Sequence, residues 1–478
     1  MGPGAWFYEA KKLEAEVSEG RKSSREAGPS IDFLYRLAFA FGQGAEAKEA
    51  GKILVQRAIQ SGDKSGAYSL AVSWIEAFGP DMEMYAQGAA AALGAGMPAG
   101  AVELVGQARK NLAAAARSRA NELSYYEYSA RSALGDQAWA EQAWNLLGSP
   151  SLDSWGAKIL GLALGLEPTD SGAPTARSEL ARMRIAFQAK DYASATRFAV
   201  SAKDLILAPG APRHFVSEAG RSFVNAKDTS GIAFFASRFP LAQPASASLP
   251  APVTDSGSGT LPESPPRAEE ADRVADELSA RYEDGLWIAA YYLARLWQLA
   301  GWDAPAAALF LSLTEKAPSD ADSDGALWYW LDITLKLIAR GSRDDIGAFA
   351  LVLDPGIAVV PDDPQSPNLD PAERRPFEFA ALVEASSRWK NPSSFDDLLD
   401  GYCRSLLKGK AWNDALALTG LLGAKLSTSL KPRFSYLGAR LVEEGLASRL
   451  VSGPWGEDAA AFFRSSYAAI AEDAGAEE

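Results

Sequence analysis

Apolar residues recur at steps of three or four along most of the chain, and this spacing predicts helices. The densest stretch runs from Asp284 to Arg340, where short polar breaks separate three apolar segments. In the first segment, one predicted helix face carries the apolar series Leu278, Tyr282, Leu286, Ala289, Leu293, Leu296 and Ala300. Trp287 and Tyr291 form a second apolar line on another face. Because a helix that is apolar on two sides must be covered on two sides, we predict stacked helix pairs.

A recurrent turn supports this prediction. A small residue or Lys is followed by a short bend, often with an aromatic residue, and then by an Ala that opens the next helix. The pattern occurs at 96–101, 190–195, 301–306 and 410–415, with a looser version at 135–143. It resembles the bend between the two helices of a tetratricopeptide repeat, although its spacing along the chain is uneven. The predicted fold class is therefore all-α, a degenerate tetratricopeptide-like superhelix of helix hairpins (an α-solenoid), with a compact helical bundle as the alternative.

Two stretches rich in Pro divide the predicted array. Residues 241–267 consist largely of Pro, Ser, Ala and Gly, which predicts a flexible, disordered linker. Residues 354–375 are rich in Pro and Asp, which predicts a long surface loop. We therefore predict one helical array at 1–240 and a second at 268–478, in which one long helix covers 394–408.

Composition and charge narrow the range of partners. Hydrophobic residues make up 47% of the 478 positions and charged residues 23%, as is usual for a soluble folded protein. The net charge of −14 argues against binding to nucleic acid or to an anionic membrane surface. No apolar run approaches the roughly 20 residues of a membrane span. The first 16 residues also lack the apolar core of a signal peptide. We expect a soluble protein without membrane insertion.

Candidate catalytic and metal-binding residues are scarce. The single cysteine, Cys403, excludes an intramolecular disulfide, and the single histidine, His214, removes most metal and acid–base sites. We interpret Cys403 as a small buried hydrophobic residue and His214 as a surface or capping residue. The sequence therefore predicts no metal site and no cofactor.

One acidic segment resembles the first half of a calcium-binding loop. Asp320, Asp322 and Asp324 alternate and are followed by Gly325, but the twelfth position, which needs a carboxylate, is Leu331. We interpret the three Asp residues as an acidic cap at the positively polarised start of a helix.

A cluster of aromatic residues is the candidate binding site. Its members are Trp287, Tyr291, Tyr292, Trp297, Trp302, Trp328, Tyr329 and Trp330. A superhelix presents a concave surface on which aromatic rings can stack on sugars or hold a peptide. The alternative is that these rings fill the core.

The segments ALWYWLDITLKL (326–337) and RWKNPSSFDDLLDGYCRSLL (388–407) resemble the non-catalytic helical region of bacterial soluble lytic murein transglycosylases. In that family the helical part forms a ring or arch, and a lysozyme-like domain with a catalytic Glu-Ser motif follows it. The only Glu-Ser here, Glu263-Ser264, lies in the predicted linker. The resemblance therefore implies a periplasmic scaffold that guides peptidoglycan and lacks the catalytic domain.

Three hypotheses follow from the sequence. The first is a non-catalytic scaffold that binds a protein, peptide or glycan on a concave helical surface, in the cytoplasm unless the family resemblance holds. The second is the helical portion of a peptidoglycan lytic transglycosylase, active only with a catalytic domain. The third is an enzyme with an unrecognised pair of carboxylates.

Overall fold

The computed structural model describes residues 2–166, 174–239, 268–281, 283–340 and 371–391, and positions 394, 395, 398, 399, 402 and 405. Every regular element within these residues is a helix, which confirms the predicted all-α class. None of the helices described is both long enough and apolar enough to cross a membrane. The predicted linker at 241–267 lies outside the described residues, as does most of the loop predicted at 354–375.

The chain divides into two compact units, Met1–Leu205 and Ile206–Glu478. The first contains α1 (Pro3–Ser18), α2 (Ser24–Phe41), α3 (Ala45–Gln60), α4 (Lys64–Phe78), α5 (Met82–Gly94), α6 (Pro98–Asn111), α7 (Ala113–Ser118), α8 (Ala120–Ala133), α9 (Ala140–Trp144), a 3₁₀ turn (Asn145–Gly148), α10 (Ser154–Leu164), α11 (Ala176–Gln188) and α12 (Tyr192–Ser201). The short helix α13 (Lys203–Ile206) lies at the boundary. The second contains α14 (Arg213–Ala226), α15 (Gly231–Ala236), α16 (Ala268–Ala280), α17 (Asp284–Leu299), α18 (Asp303–Thr314), α19 (Asp320–Arg340) and α20 (Pro371–Arg388).

Helices of the first unit pack mainly on their neighbours in sequence. Contacts join α1 to α2, α2 to α3, α3 to α4, α4 to α5 and α5 to α6, and weaker contacts join α1 to α3 and α3 to α5. Close approach is possible because small residues occupy the contacts, such as the fully buried Ala50, Ala71 and Ala89. Each of these helices therefore has the helices next to it in sequence as its main packing partners.

In the second unit, α14 and α15 pack on α17, which also contacts α18. The predicted boundary near residue 240 therefore differs from the observed division at 205/206, since α14 and α15 belong with the helices that follow the Pro-rich stretch. The physical reason is that their apolar residues Phe223 and Phe235 are fully buried in this unit. The helices before and after the Pro-rich stretch therefore pack together although this stretch lies between them in the sequence.

Two further boundaries in the structure differ from those predicted, one at the start of the helix that contains Trp287 and one at the end of the predicted loop. Leu278 ends up in α16, separate from the helix that begins at Asp284, so the apolar series predicted for one helix face spans two helices. Helix α20 begins at Pro371, which makes the last residues of the loop predicted at 354–375 helical. Pro is well suited to the first turn of a helix because its missing N–H has no partner there in any case. The described positions between 394 and 405 are helical, as predicted for 394–408.

Three of the four recurrent turns fall on described residues and share one geometry. Gly96, Lys190 and Gly301 each have a left-handed backbone, with φ of 71°, 60° and 82°. In each turn the next residue donates its N–H to a carbonyl five residues earlier, as in Trp302 to Trp297 at 2.9 Å. This is the hydrogen bond that closes a Schellman C-cap. The Ala that follows is completely buried in all three, and the fourth turn, at 410–415, lies outside the described residues.

Replacing Lys190 with Gly is expected to stabilise the first unit by about 1 kcal/mol, because a left-handed backbone strains a residue with a Cβ atom and Gly relieves the strain. Urea denaturation followed by circular dichroism measures the change. The matched variant Gly96→Ala places a Cβ at the equivalent position of another turn and should destabilise by a similar amount. Equal stability of Lys190→Gly and the unmodified chain would contradict the prediction.

Candidate functional site

The predicted aromatic cluster separates into core residues and surface residues. Trp287, Trp297 and Trp330 are each 1% exposed, and Tyr292 is also buried. The indole N–H of Trp287 donates to the carbonyl oxygen of Leu313 at 3.0 Å, which ties α17 to the end of α18. These four side chains fill the core of the second unit and cannot reach a ligand at its surface, because neighbouring helices cover them.

The remaining members keep contact with solvent. Trp328 is 44% exposed, and Tyr291, Trp302 and Tyr329 are half-buried. Trp302 lies in the turn between α17 and α18, where its backbone forms the cap of α18. Trp328, Tyr329 and Tyr291 lie close together, on α19 and α17. We call these three residues and Arg295 the Trp328 surface.

The rings of this surface contact one another in a series that runs from the exposed Trp328 to buried rings in the core. Trp328 and Tyr329 meet at right angles with centroids 4.8 Å apart, an edge-to-face contact. Tyr329 in turn stacks on the buried Phe310 at 5.4 Å and meets Tyr291 edge-on at 5.9 Å. Tyr291 stacks on the buried Trp287 at 5.5 Å. Because each ring contacts another ring closer to the core, Trp328 packs on a rigid aromatic support.

Arg295 completes the surface and was missed in the sequence analysis. Its guanidinium carbon lies 3.8 Å from the centroid of the Tyr329 ring, a cation–π contact. One of its terminal nitrogens donates to the side-chain oxygen of Gln298. The signal that could have found it is its position four residues after Tyr291, on the same face of α17. A stacked guanidinium keeps edge N–H groups that can donate to an acceptor on a ligand.

The environment of Tyr291 keeps its phenol group protonated. Burial raises the pKa of the Tyr291 phenol well above its ordinary value, and the neighbouring Tyr329 and Tyr292 add to this effect. The hydroxyl therefore stays protonated across the physiological range and acts as a hydrogen-bonding group. Nearby, Asp332 forms an ion pair with Lys336 at 2.6 Å, which balances its charge locally.

The acidic segment at the start of α19 is engaged by the protein itself. Asp322 forms an ion pair with Arg213 at 2.7 Å. The buried Asp324 accepts hydrogen bonds from the backbone N–H groups of Lys390 and Asn391 at 2.7 and 2.8 Å, which fixes the end of α20 against α19. Within the described ranges, no group of three or more His, Cys, Asp or Glu residues could hold a metal ion.

The single histidine lies near the start of α14, where its ring meets Phe215 edge-on at 4.4 Å. It is half-buried and belongs to the packing of this helix. Cys403 and the motif Glu263-Ser264 lie outside the described residues.

Comparison with known proteins finds no protein-family model that matches the chain and no curated protein that matches it. The resemblance to the helical region of lytic transglycosylases therefore stays a prediction from two short segments. The arguments for function rest on the geometry of the described residues.

Proposed function

We propose that this chain is a non-catalytic interaction scaffold that binds a protein partner at the Trp328 surface, on a superhelix of helix hairpins. The observation that carries the proposal is the exposed indole of Trp328, held by a ladder of rings and flanked by the stacked guanidinium of Arg295. Trp, Tyr and Arg are the residues that contribute most to binding at the centres of protein interfaces. A rigid support lowers the conformational entropy lost when such residues bind.

The chemistry of the surface indicates which features of a partner it fits. An apolar side chain of the partner packs on the face of Trp328, where Gly325, one turn earlier on α19, leaves open space. A carboxylate of the partner accepts hydrogen bonds from the edge of Arg295. The expected ligand is therefore a protein segment in which an apolar residue lies close to Asp or Glu.

Photo-crosslinking tests the proposal in the cells that produce the protein. A photoreactive amino acid replaces Ala321, an exposed residue two helical turns before Trp328 on the same face. We expect one discrete protein adduct, reduced about tenfold or more by Trp328→Ala and by Arg295→Gln, because each removes a contact at the centre of the interface. Tyr8→Ala, which removes an exposed ring from the first unit, is the matched control and should leave the adduct unchanged.

The same variants separate this proposal from its competitors. An adduct that persists undiminished in Trp328→Ala would contradict binding at this surface. Retention of the unmodified chain, but not of Trp328→Ala, on isolated peptidoglycan sacculi would assign the surface to a glycan instead. Thermal unfolding of Trp328→Ala should remain cooperative, with a melting temperature only a few degrees lower, because Trp328 is 44% exposed and loses a single ring contact. This measurement excludes unfolding as the cause of lost binding.

A further inference from the structure

Arg295 is a half-buried cation without a carboxylate partner among the residues that the structure describes. Its contacts are with the ring of Tyr329, at 3.8 Å, and with the side chain of Gln298. Arg374 is also half-buried and donates to the carbonyl oxygen of Ala339. The other half-buried arginines in the described part of the chain each pair with Asp or Glu: Arg57, Arg119, Arg131, Arg182, Arg238 and Arg388. Arg295 therefore carries a positive charge that no described acidic side chain neutralises by direct contact.

Another arginine of the chain offers a direct comparison. Arg119, at the start of α8, donates through its Nε to Glu122, three residues later, at 2.5 Å. Arg295 donates to Gln298, which lies at the same spacing in α17. The side chains of Glu and Gln have the same length and shape, but the amide of Gln carries no charge. Gln298 therefore orients the guanidinium of Arg295 and leaves its positive charge uncompensated.

Covering Arg295 has a different cost for an acidic and for a neutral partner. Asp332, three residues after Tyr329 on α19, pairs with Lys336 at 2.6 Å. A partner that covers Arg295 removes water from the guanidinium, which costs free energy unless a new acceptor replaces that water. A carboxylate of the partner supplies both an acceptor and the opposite charge, and hydrogen bonds to charged groups are stronger than those between neutral groups. The surface therefore discriminates against a partner that has no carboxylate at this point.

We propose that Gln298 makes the Trp328 surface selective for a partner segment that carries a carboxylate. Gln298 is a positioning residue, because it orients the guanidinium of Arg295 and leaves the charge available to the partner. The inference rests on the proposed binding at the Trp328 surface, to which it adds the residue that determines the charge of the ligand. Gln298→Glu would give Arg295 a carboxylate within α17, which competes with an acidic partner and repels it.

Exchange of this amide for a carboxylate tests the proposal, with the photoreactive amino acid at position 321 as the probe. Gln298→Glu should reduce the protein adduct about tenfold, because Arg295 is then paired before the partner binds. Gln298→Met removes the amide without adding a charge and should reduce the adduct only about twofold. Gln56→Glu makes the same exchange at an exposed position of α3 in the first unit and should leave the adduct unchanged.

Thermal unfolding separates lost binding from lost folding. Gln298→Glu should unfold within about 2 °C of the unmodified chain. The reason is that the new pair with Arg295 and the unfavourable negative charge near the end of α17 are both small effects of opposite sign. A loss of the adduct at unchanged stability is therefore a loss of binding.

The partner's side of the contact gives a second test. Mass spectrometry locates the crosslinked segment of the partner, and each Asp or Glu in it is changed to the corresponding amide. One such exchange should weaken the adduct with the unmodified chain about tenfold. The same exchange should have no further effect on the adduct with Gln298→Glu, because the contact with Arg295 is already lost there. A crosslinked segment that contains no Asp or Glu overturns the proposal.

The outcomes separate this inference from the proposed function. An adduct that disappears in Trp328→Ala but persists undiminished in Gln298→Glu overturns the inference and leaves the proposed function standing. An equal loss in Gln298→Met and Gln298→Glu also overturns it, because the charge would then have no part in the effect. An adduct that persists in Trp328→Ala rules out the proposed function, and the inference with it.

Discussion

Replacing Gly220 with Ala is expected to lower the free energy of unfolding of the second unit by about 3 kcal/mol. Gly220 lies in α14 where this helix crosses α17, and a Cβ atom there would approach two ring carbons of Tyr292 to 2.2 Å. The ring cannot move aside easily, because Tyr292 is buried and stacks on Phe235 at 6.2 Å. The two helices would have to separate to accommodate one methyl group.

Urea denaturation followed by tryptophan fluorescence measures this loss, since five tryptophans lie on α17, α19 and the turn between α17 and α18. The control is Gly325→Ala in α19, where a Cβ atom meets no other atom within 4 Å and Ala should stabilise the helix by up to about 1 kcal/mol. In a Tyr292→Ala background the clash is absent, so Gly220→Ala should then become neutral or stabilising. Equal effects of Gly220→Ala in both backgrounds would show that the steric explanation is wrong.

The second large effect is expected at Arg184, which is fully buried in the first unit. One terminal nitrogen of its guanidinium donates to the carbonyl oxygens of Leu147 at 2.7 Å and Leu146 at 3.4 Å. These carbonyls belong to the 3₁₀ turn after α9, where helical carbonyls lack partners within the helix. Arg184 therefore fixes α11 to the end of α9 through hydrogen bonds in a place that water does not reach.

Arg184→Met keeps most of the side-chain volume but removes the donors, and we expect it to destabilise the first unit by about 3 kcal/mol. Thermal and urea denaturation measure the change. Arg184→Lys keeps the charge without the planar fork and should lose roughly half as much. The exposed Arg197→Met on α12 is the matched control and should change stability by less than about 0.5 kcal/mol. A loss at Arg184 no larger than at Arg197 would contradict the role of the buried hydrogen bonds.

Part of the candidate site could be predicted from the sequence. The crowding of aromatic residues between Trp287 and Trp330 is visible there, and so is the helical spacing that puts Trp328 and Trp330 on different faces of α19. The spacing does not say which face is covered. That depends on α18 and α20, which pack on α19 and leave Trp328 at the surface while Trp330 is buried. Arg295 was missed because the contact that places it at this surface is with Tyr329, which belongs to another helix.

The helices and the turns that join them could be predicted from the sequence, because both depend on residues close together in the chain. The periodic apolar positions, the left-handed residues such as Gly96 and Gly301, and the Ala that follows each turn act over a few residues. Three features could not be predicted in this way: the packing of α14 and α15 on α17, the burial of Arg184, and the hydrogen bonds from the backbone of Lys390 and Asn391 to Asp324. These facts depend on contacts between distant segments, whose free energy comes from burial and hydrogen bonding that no local pattern specifies.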